Sequence, residues 1–195
     1  MGVFIISPSD KGGHLYSPPQ KLVDLCKPLH PMVFNDLFCL SHPQIHTLSV
    51  GAARPSDFDQ HLETLPLLGR ADEILPDILA RLENQAIASL GEDWAKTWQL
   101  GLPTYDQTPH QINIPVILWL RNLVIAYDMI EYGKARYNLM GNGGHWFPGQ
   151  KADRLTEVDL RNVLRLSPHR KHILQYLQEA DNLLGGAAVQ RLSTS

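Results

Sequence analysis

Two segments of this 195-residue chain have the pattern of a β-strand buried on both faces, and they limit the folds that the chain can adopt. Val3–Ile6 is a continuous apolar run that ends in Ser and Pro, and residues 45–50 form a second run that ends at Gly51. A helix predicted over residues 30–42 separates them, which favours a parallel pair with a right-handed crossover. Two such strands do not make a stable sheet alone. We therefore expect either a very small sheet wrapped by helices, or a fold cut in its middle whose other strands lie outside this sequence.

The rest of the chain has the spacing of helices joined by loops. The predicted helices are one with Pro55 in its first turn, one along the apolar stripe from Leu75 to Leu90, one over about residues 115–132, and one opened by Ser167 as N-cap and Pro168 and ended by Gly185. The expected fold class is thus α/β to mostly α. We place residues 1–70, with both strands, in one part and residues 71–195 in a helical extension.

The composition excludes several classes of protein. Lys and Arg number 17 against 20 Asp and Glu, and the resulting net charge of -3 argues against a nucleic-acid binder that relies on bulk positive charge. Cys26 and Cys39 are too few for a disulfide scaffold or an all-cysteine iron–sulfur site, and they fit a reducing cytoplasm. The apolar run at residues 114–120 is shorter than the ~20 residues of a membrane span. We therefore expect a cytoplasmic protein without a nucleic-acid or membrane partner.

Motifs in the first third of the chain resemble one enzyme family. Residues 2–13 are similar to the seventh strand and following loop of the aldo/keto reductases, and the order helix, Leu40-Ser-His-Pro43, strand, Gly51-Ala-Ala-Arg-Pro55 is similar to the family's next βα unit. The remainder resembles the helical C-terminal extension of a bacterial branch that often carries ferredoxin-like cysteine clusters. The landmarks there are Asn113-Ile-Pro115, Ala126-Tyr-Asp128, Arg136-Tyr-Asn138 and Gly144-His-Trp-Phe-Pro-Gly149. The resemblance implies a partial (β/α)8 barrel, its last two βα units, followed by a helical extension.

The resemblance also implies a nicotinamide cofactor. In such barrels the loops after strands seven and eight commonly form a phosphate site. By resemblance, the residues along the cofactor pyrophosphate would be Ser7, Pro8, Ser9, Lys11 and Gly12, and those at the adenosine end would be Gly51, Ala52, Ala53 and Arg54. A guanidinium grips phosphate bidentately, so Arg54 on a 2′-phosphate would favour NADP over NAD.

Three positions of this region depart from the family pattern. By resemblance, Asp57 and His61 are also cofactor-binding positions, but they stand where the family usually has Gln and Asn. Ala53 replaces the usual Ser. The departures put cofactor affinity in question, and Asp57 would repel a nearby phosphate. The family's catalytic tetrad belongs to the first half of the barrel and cannot be carried onto this chain. Because residues 102–109 hold no cysteine where the cluster ligands would be, we expect no iron–sulfur cluster.

Other motifs have both a plain and a functional interpretation. Without the resemblance, Ser7-Pro-Ser9 and Lys11 are either a simple turn or a phosphate loop. The pairs His42/His46 and His169/His172 could each bind zinc only with a third ligand. Residues 165–172 could contact an acidic partner or be a solvated face.

Residues 144–151 resemble a P-loop without Gly-Lys-Ser/Thr, so a tight loop packing Trp146 and Phe147 is the alternative. Trp94, Trp98 and Trp119 are expected in a core rather than around a cofactor.

These observations lead to two main hypotheses. The first is the C-terminal portion of an NADP-dependent aldo/keto reductase-like oxidoreductase, which would be inactive alone and completed by the N-terminal barrel half or another chain. The second is a non-catalytic helical protein that docks on a partner through Val3–Ile6 or the helix over residues 115–132. A third is a helical nucleotide-binding protein without reductase activity.

Overall fold

A computed structural model describes residues 2–9, 14–51, 54–142, 147–155 and 160–187. The chain divides into two compact units, Met1–Gln85 and Ala86–Ser195. The described residues are mostly helical and include a two-stranded parallel sheet, so the coarse α/β to mostly α class is confirmed. The division lies inside a helix that starts at Ala71, and the domain boundary placed after residue 70 stays a prediction.

The first unit contains the sheet. Its elements are β1 (Val3–Ile6), α1 (Gln20–Cys26), α2 (Pro31–Leu40), β2 (Ile45–Ser49), α3 (Phe58–Leu62) and the start of α4 (Ala71–Leu90), with 3-10 turns at His14–Tyr16, Pro55–Asp57 and Leu65–Arg70. α2 begins where Pro31 indicates, because His30 caps the helix and its Nδ1 accepts a hydrogen bond from Met32 N at 3.2 Å. A small apolar core joins α2 to α4 through Leu37, Ala71 and Leu75.

The two strands pair in parallel as predicted, but their burial differs from the prediction. Ile6 pairs with Ser49, and Val3 N donates to Gln44 O at 2.7 Å. Phe4 is 61% exposed and Ile6 54% exposed, so the expectation of strands buried on both faces is wrong in this structure. The sheet has two strands in the described part of the chain, and so small a sheet offers too few neighbouring side chains to bury both of its faces.

The second unit is helical and contains the larger core. Its helices are the end of α4, α5 (Glu92–Thr97), α6 (Ile114–Tyr127), α7 (Ile130–Tyr137) and α8 (Arg170–Leu184), with 3-10 turns at Tyr105–Gln107 and Pro109–Gln111. α6 supplies the centre of the core, and Trp94 lies in it as predicted, with Trp98 and Trp119 packed against it. The buried Tyr137 hydroxyl donates to Asp181 Oδ1 at 2.6 Å and accepts from Ala152 N at 3.0 Å, which ties α7 to α8 and to a loop.

Two helix boundaries in this unit correct the sequence prediction. The single helix expected over residues 115–132 is two helices, because Asp128 takes a left-handed conformation (φ 59°) and ends α6. Ser167 is not the N-cap of α8: His169 takes that position, and Ser167 Oγ instead accepts from His169 N at 3.2 Å. α8 does end at Gly185, whose N–H donates to Asp181 O at 2.7 Å.

Candidate functional site

The carboxyl ends of β1 and β2 lie side by side. Ile6 is opposite Ser49 in the ladder, so the chain leaves the sheet at Ser7 and, one strand away, at Val50 and Gly51. The carboxyl edge of a parallel sheet is the usual place for a ligand in α/β folds. This edge therefore brings together the two loops that the sequence identified as candidate phosphate loops.

The first loop is described up to Ser9. Ser7 is exposed and has a left-handed backbone (φ 59°), an uncommon conformation for a residue other than glycine. Pro8 is half-buried and Ser9 is buried. Lys11 and Gly12 lie outside the described residues. The turn after β1 thus leaves one serine accessible at the sheet edge and buries the next.

The second loop is open at its start. Gly51 is exposed, and no described atom lies within 4 Å of the place where a Cβ would stand. Ala52 and Ala53 lie outside the described residues. Arg54 begins the 3-10 turn Pro55–Asp57, and its side chain is 78% exposed. A phosphate group approaching Gly51 would therefore meet little steric resistance from the described chain.

Asp57 holds the Arg54 side chain. Arg54 Nε donates to Asp57 Oδ1 at 2.9 Å, and Arg54 N donates to Asp57 Oδ2 at 3.2 Å. The Arg54 side chain is nevertheless 78% exposed, so much of the guanidinium stays accessible to solvent. The ion pair lowers the net charge that a phosphate would meet while it orients the guanidinium. Asp57 is thus a direct partner of Arg54, a role that the sequence pattern did not indicate.

His61 lies in a hydrogen-bonded network with Asp36 and Tyr16. Its Nδ1 bonds the Asp36 carboxylate, and its Nε2 lies 2.9 Å from the Tyr16 hydroxyl. The hydroxyl in turn donates to Gly51 O at 3.2 Å. The side chains of His61 and Asp36 are only 9% and 4% exposed, so this network links α2 and α3 to the loop after β2.

The network keeps the Tyr16 hydroxyl protonated. Burial raises the pKa of Tyr16, and the negative charges of Asp57 and Asp36 raise that pKa further. Tyr16 and Asp36 were not identified from the sequence. A usable signal for Asp36 was its place between Val33 and Leu37 on the buried face of α2, because a buried carboxylate requires a partner.

Neither histidine pair gathers around a common point for a metal. His42 Nδ1 bonds Phe38 O at 2.8 Å, and His46 Nδ1 bonds Gln44 O at 2.9 Å. His169 is buried, with Nε2 at 2.8 Å from Thr97 Oγ1, while His172 stacks on Tyr176. Across the described ranges, no group of three or more His, Cys, Asp or Glu side chains could hold a metal ion.

The cationic stretch over residues 165–172 borders an open surface cavity of about 390 Å³. The lining residues are Arg165, Leu166, Ser167, Pro168, Arg170 and Lys171. Arg170 Nη1 donates to Arg165 O at 3.4 Å. Contact of this stretch with an acidic partner stays a prediction.

Three further predictions concern loops, cysteines and membranes. Residues 143–146, with Trp146, lie outside the described residues, and Phe147 packs against the helical core. Cys26 is buried and Cys39 half-buried, both unpaired; burial raises the pKa of both thiols, that of Cys26 to about 11. No described helix combines the length and the apolar character that crossing a membrane requires.

Comparisons with known proteins add no further assignment. No protein-family model, curated protein or solved structure matches the chain.

Proposed function

We propose that this chain is the C-terminal portion of an NADP-dependent oxidoreductase similar to the aldo/keto reductases, and that it supplies the cofactor-phosphate site. The proposal includes a partial barrel, in which β1 and β2 are the last two strands. The implied reaction is hydride transfer between a nicotinamide and a carbonyl or alcohol. When bound, the cofactor would supply the hydride, and this chain's residues would hold the cofactor's phosphates.

One observation carries the proposal: the ladder pairs Ile6 with Ser49, so that the Ser7 and Gly51 loops start next to each other. The donor chemistry fits a phosphorylated nucleotide, because Arg54 offers an exposed guanidinium and Gly51 an open approach. The exposed apolar side chains of β1 also fit a sheet that further strands would cover.

Titration with NADPH and with NADH tests the proposal on the chain as it exists. We expect NADPH to bind more tightly than NADH, and Arg54→Ala to weaken NADPH binding by about 10- to 100-fold with little change for NADH. Arg70→Ala is the matched control, because Arg70 forms the same i,i+3 ion pair with Glu73 at 2.9 Å in the same unit. Equal affinity for the two nucleotides, or equal effects of the two variants, would contradict the proposal.

A separate activity assay tests the expectation that the chain is not catalytic by itself. Because the resemblance places the catalytic tetrad in the barrel half that this chain lacks, we expect no reduction of a carbonyl by NADPH with the purified chain alone. Reduction that survives purification to homogeneity would show that the residues doing the chemistry are present here.

A non-catalytic interaction protein is the second candidate, and the exposure of Val3, Phe4 and Ile6 favours it. This candidate would dock through β1, because the apolar side chains of α6 form the centre of the helical core. Docking through the helix predicted over residues 115–132 stays a prediction. An interaction protein of this kind would bind neither nucleotide, so the titration above separates the two candidates.

A further inference from the structure

The Tyr16 hydroxyl has two neighbours but one proton. It lies 3.2 Å from Gly51 O and 2.9 Å from His61 Nε2. A carbonyl oxygen can only accept, so the hydroxyl proton must point to Gly51 if that hydrogen bond is made. His61 Nε2 must then donate its own proton to the Tyr16 oxygen.

The protonation state of His61 therefore decides where Tyr16 donates. Asp36, as a carboxylate, accepts from Nδ1 and so keeps a proton on that nitrogen in both states. In the imidazolium, Nε2–H donates to Tyr16 and Tyr16 donates to Gly51 O. In the neutral imidazole, Nε2 accepts a hydrogen bond from the Tyr16 hydroxyl, which leaves Gly51 O without this donor.

We propose that Tyr16 is a positioning residue for the loop after β2, and that protonation of His61 switches its hydrogen bond onto the Gly51 carbonyl. Gly51 directly precedes the stretch that leads to Arg54. Any effect of this switch on nucleotide binding rests on the proposed function. The switch of the hydrogen bond does not depend on a ligand.

Charged and titratable groups surround this network on each element that packs around it. Asp36 on α2 contacts His61 directly, and Cys39 on the same helix lies close enough for the Asp36 charge to raise its pKa. On the 3-10 turn, Asp57 acts on Tyr16 and is itself paired with Arg54. The nearby charged residues of α3 and its C-terminal cap are Asp59 and Glu63, and Glu63 faces His30 at the start of α2.

The number of hydrogen bonds at Gly51 depends on whether His61 is charged. With the imidazolium, every donor of the series finds an acceptor, from Nδ1–H to Asp36, from Nε2–H to Tyr16, and from Tyr16 to Gly51. A neutral His61 removes one donor, and the Gly51 carbonyl then loses its hydrogen bond from Tyr16. The start of the loop is therefore held more firmly when His61 is charged.

Nuclear magnetic resonance of the nucleotide-free chain tests the switch directly. The ring nitrogens of His61 and the carbonyl carbon of Gly51 are followed from pH 5 to 9, with His61 assigned from His61→Gln. We expect both signals to change with one midpoint in the wild type. In Tyr16→Phe, the Gly51 carbonyl should no longer follow His61. His46→Gln, on β2 but outside the network, should leave the coupling intact.

The wild-type correlation needs no variant, so it remains decisive if Tyr16→Phe does not fold. Different midpoints for His61 and Gly51, or an unchanged Gly51 response in Tyr16→Phe, would overturn the switch. NADPH titrations across the same pH range test whether the switch affects nucleotide binding. The wild type should bind NADPH about three- to tenfold more tightly below the midpoint of His61, and the affinity of Tyr16→Phe should not depend on pH. Absence of NADPH binding with a coupled Gly51 signal would refute the proposed function and leave the switch standing.

Discussion

The two units of this chain bury their apolar residues to different extents. In the second unit, α6, α7 and α8 surround a core whose central side chains are fully buried. In the first unit, a small core joins α2 to α4, and Phe4 on β1 remains 61% exposed. A helix satisfies its own backbone hydrogen bonds, whereas a strand needs neighbours on both edges. The helical unit therefore completes its core within the described residues, and the sheet unit does not.

The largest expected effect is in the helical core. Leu120 is completely buried, so Leu120→Ala should lower the free energy of unfolding by about 2–5 kcal/mol through lost burial and a residual cavity. Urea denaturation followed by tryptophan fluorescence reports on this unit, because every tryptophan of the chain lies within it. Leu166→Ala is the control, since Leu166 is 73% exposed and should change stability by less than about 0.5 kcal/mol. Similar losses in the two variants would contradict a closed core.

An intermediate effect is expected in the first unit at high pH. Burial raises the pKa of Cys26 from 9.0 to about 11, although the Arg81 charge opposes the shift. The thiol therefore keeps its proton to a higher pH in the folded state than in the unfolded state. Its contribution to stability is complete below pH 9.0 and is lost as the pH rises towards about 11.

Urea denaturation followed by circular dichroism at pH 8 and 10.5 measures this contribution. The wild type should lose about 1–2 kcal/mol more than Cys26→Ala over that interval. Equal losses of stability in the two proteins would mean that the Cys26 thiol is accessible to solvent and that the packing around α1 is looser than the structure indicates.

The smallest effect on stability is expected on β1. Phe4→Ser should change the free energy of unfolding by less than about 0.5 kcal/mol, because the side chain is already exposed. If further strands or a partner cover β1, the same change should weaken that association, measured by sedimentation velocity. Leu166→Ser, an exposed apolar change in the second unit, should leave the association intact. A loss of several kcal/mol in Phe4→Ser would show that β1 is covered within the chain itself.

Local signals predicted much of the fold. Pro31 marks the start of α2, Gly185 marks the end of α8, and the two apolar runs are the strands of the sheet. Each is determined by residues adjacent in sequence, through fixed proline geometry, a helix cap or strand periodicity. The errors have the same origin: nothing in the apolar pattern over residues 115–132 indicated that Asp128 would turn left-handed and divide the helix.

The candidate site was predicted only in part. The sequence and its resemblance to the aldo/keto reductases identified the loops around Ser7 and Gly51, and the ladder places those loops at one edge of the sheet. That Asp57 would repel a nearby phosphate stays a prediction, and its ion pair with Arg54, three residues earlier, was not foreseen. An i,i+3 pair is local in sequence, but which partner a carboxylate takes depends on how the turn presents it.

Neighbouring residues set backbone preference and hydrophobic period, so most strands and helices were predictable along the chain. The exceptions are the break at Asp128 and the start of α8. The contacts of His61 with Asp36, 25 residues earlier, and with Tyr16, 45 residues earlier, depend instead on the assembled fold. Residues so far apart come together only when α2, α3 and the sheet assemble, and their chemistry depends on hydrogen bonds of a few ångströms. The order of residues along the chain does not give such distances, so the network that joins His61, Asp36, Tyr16 and Gly51 is seen only in the folded molecule.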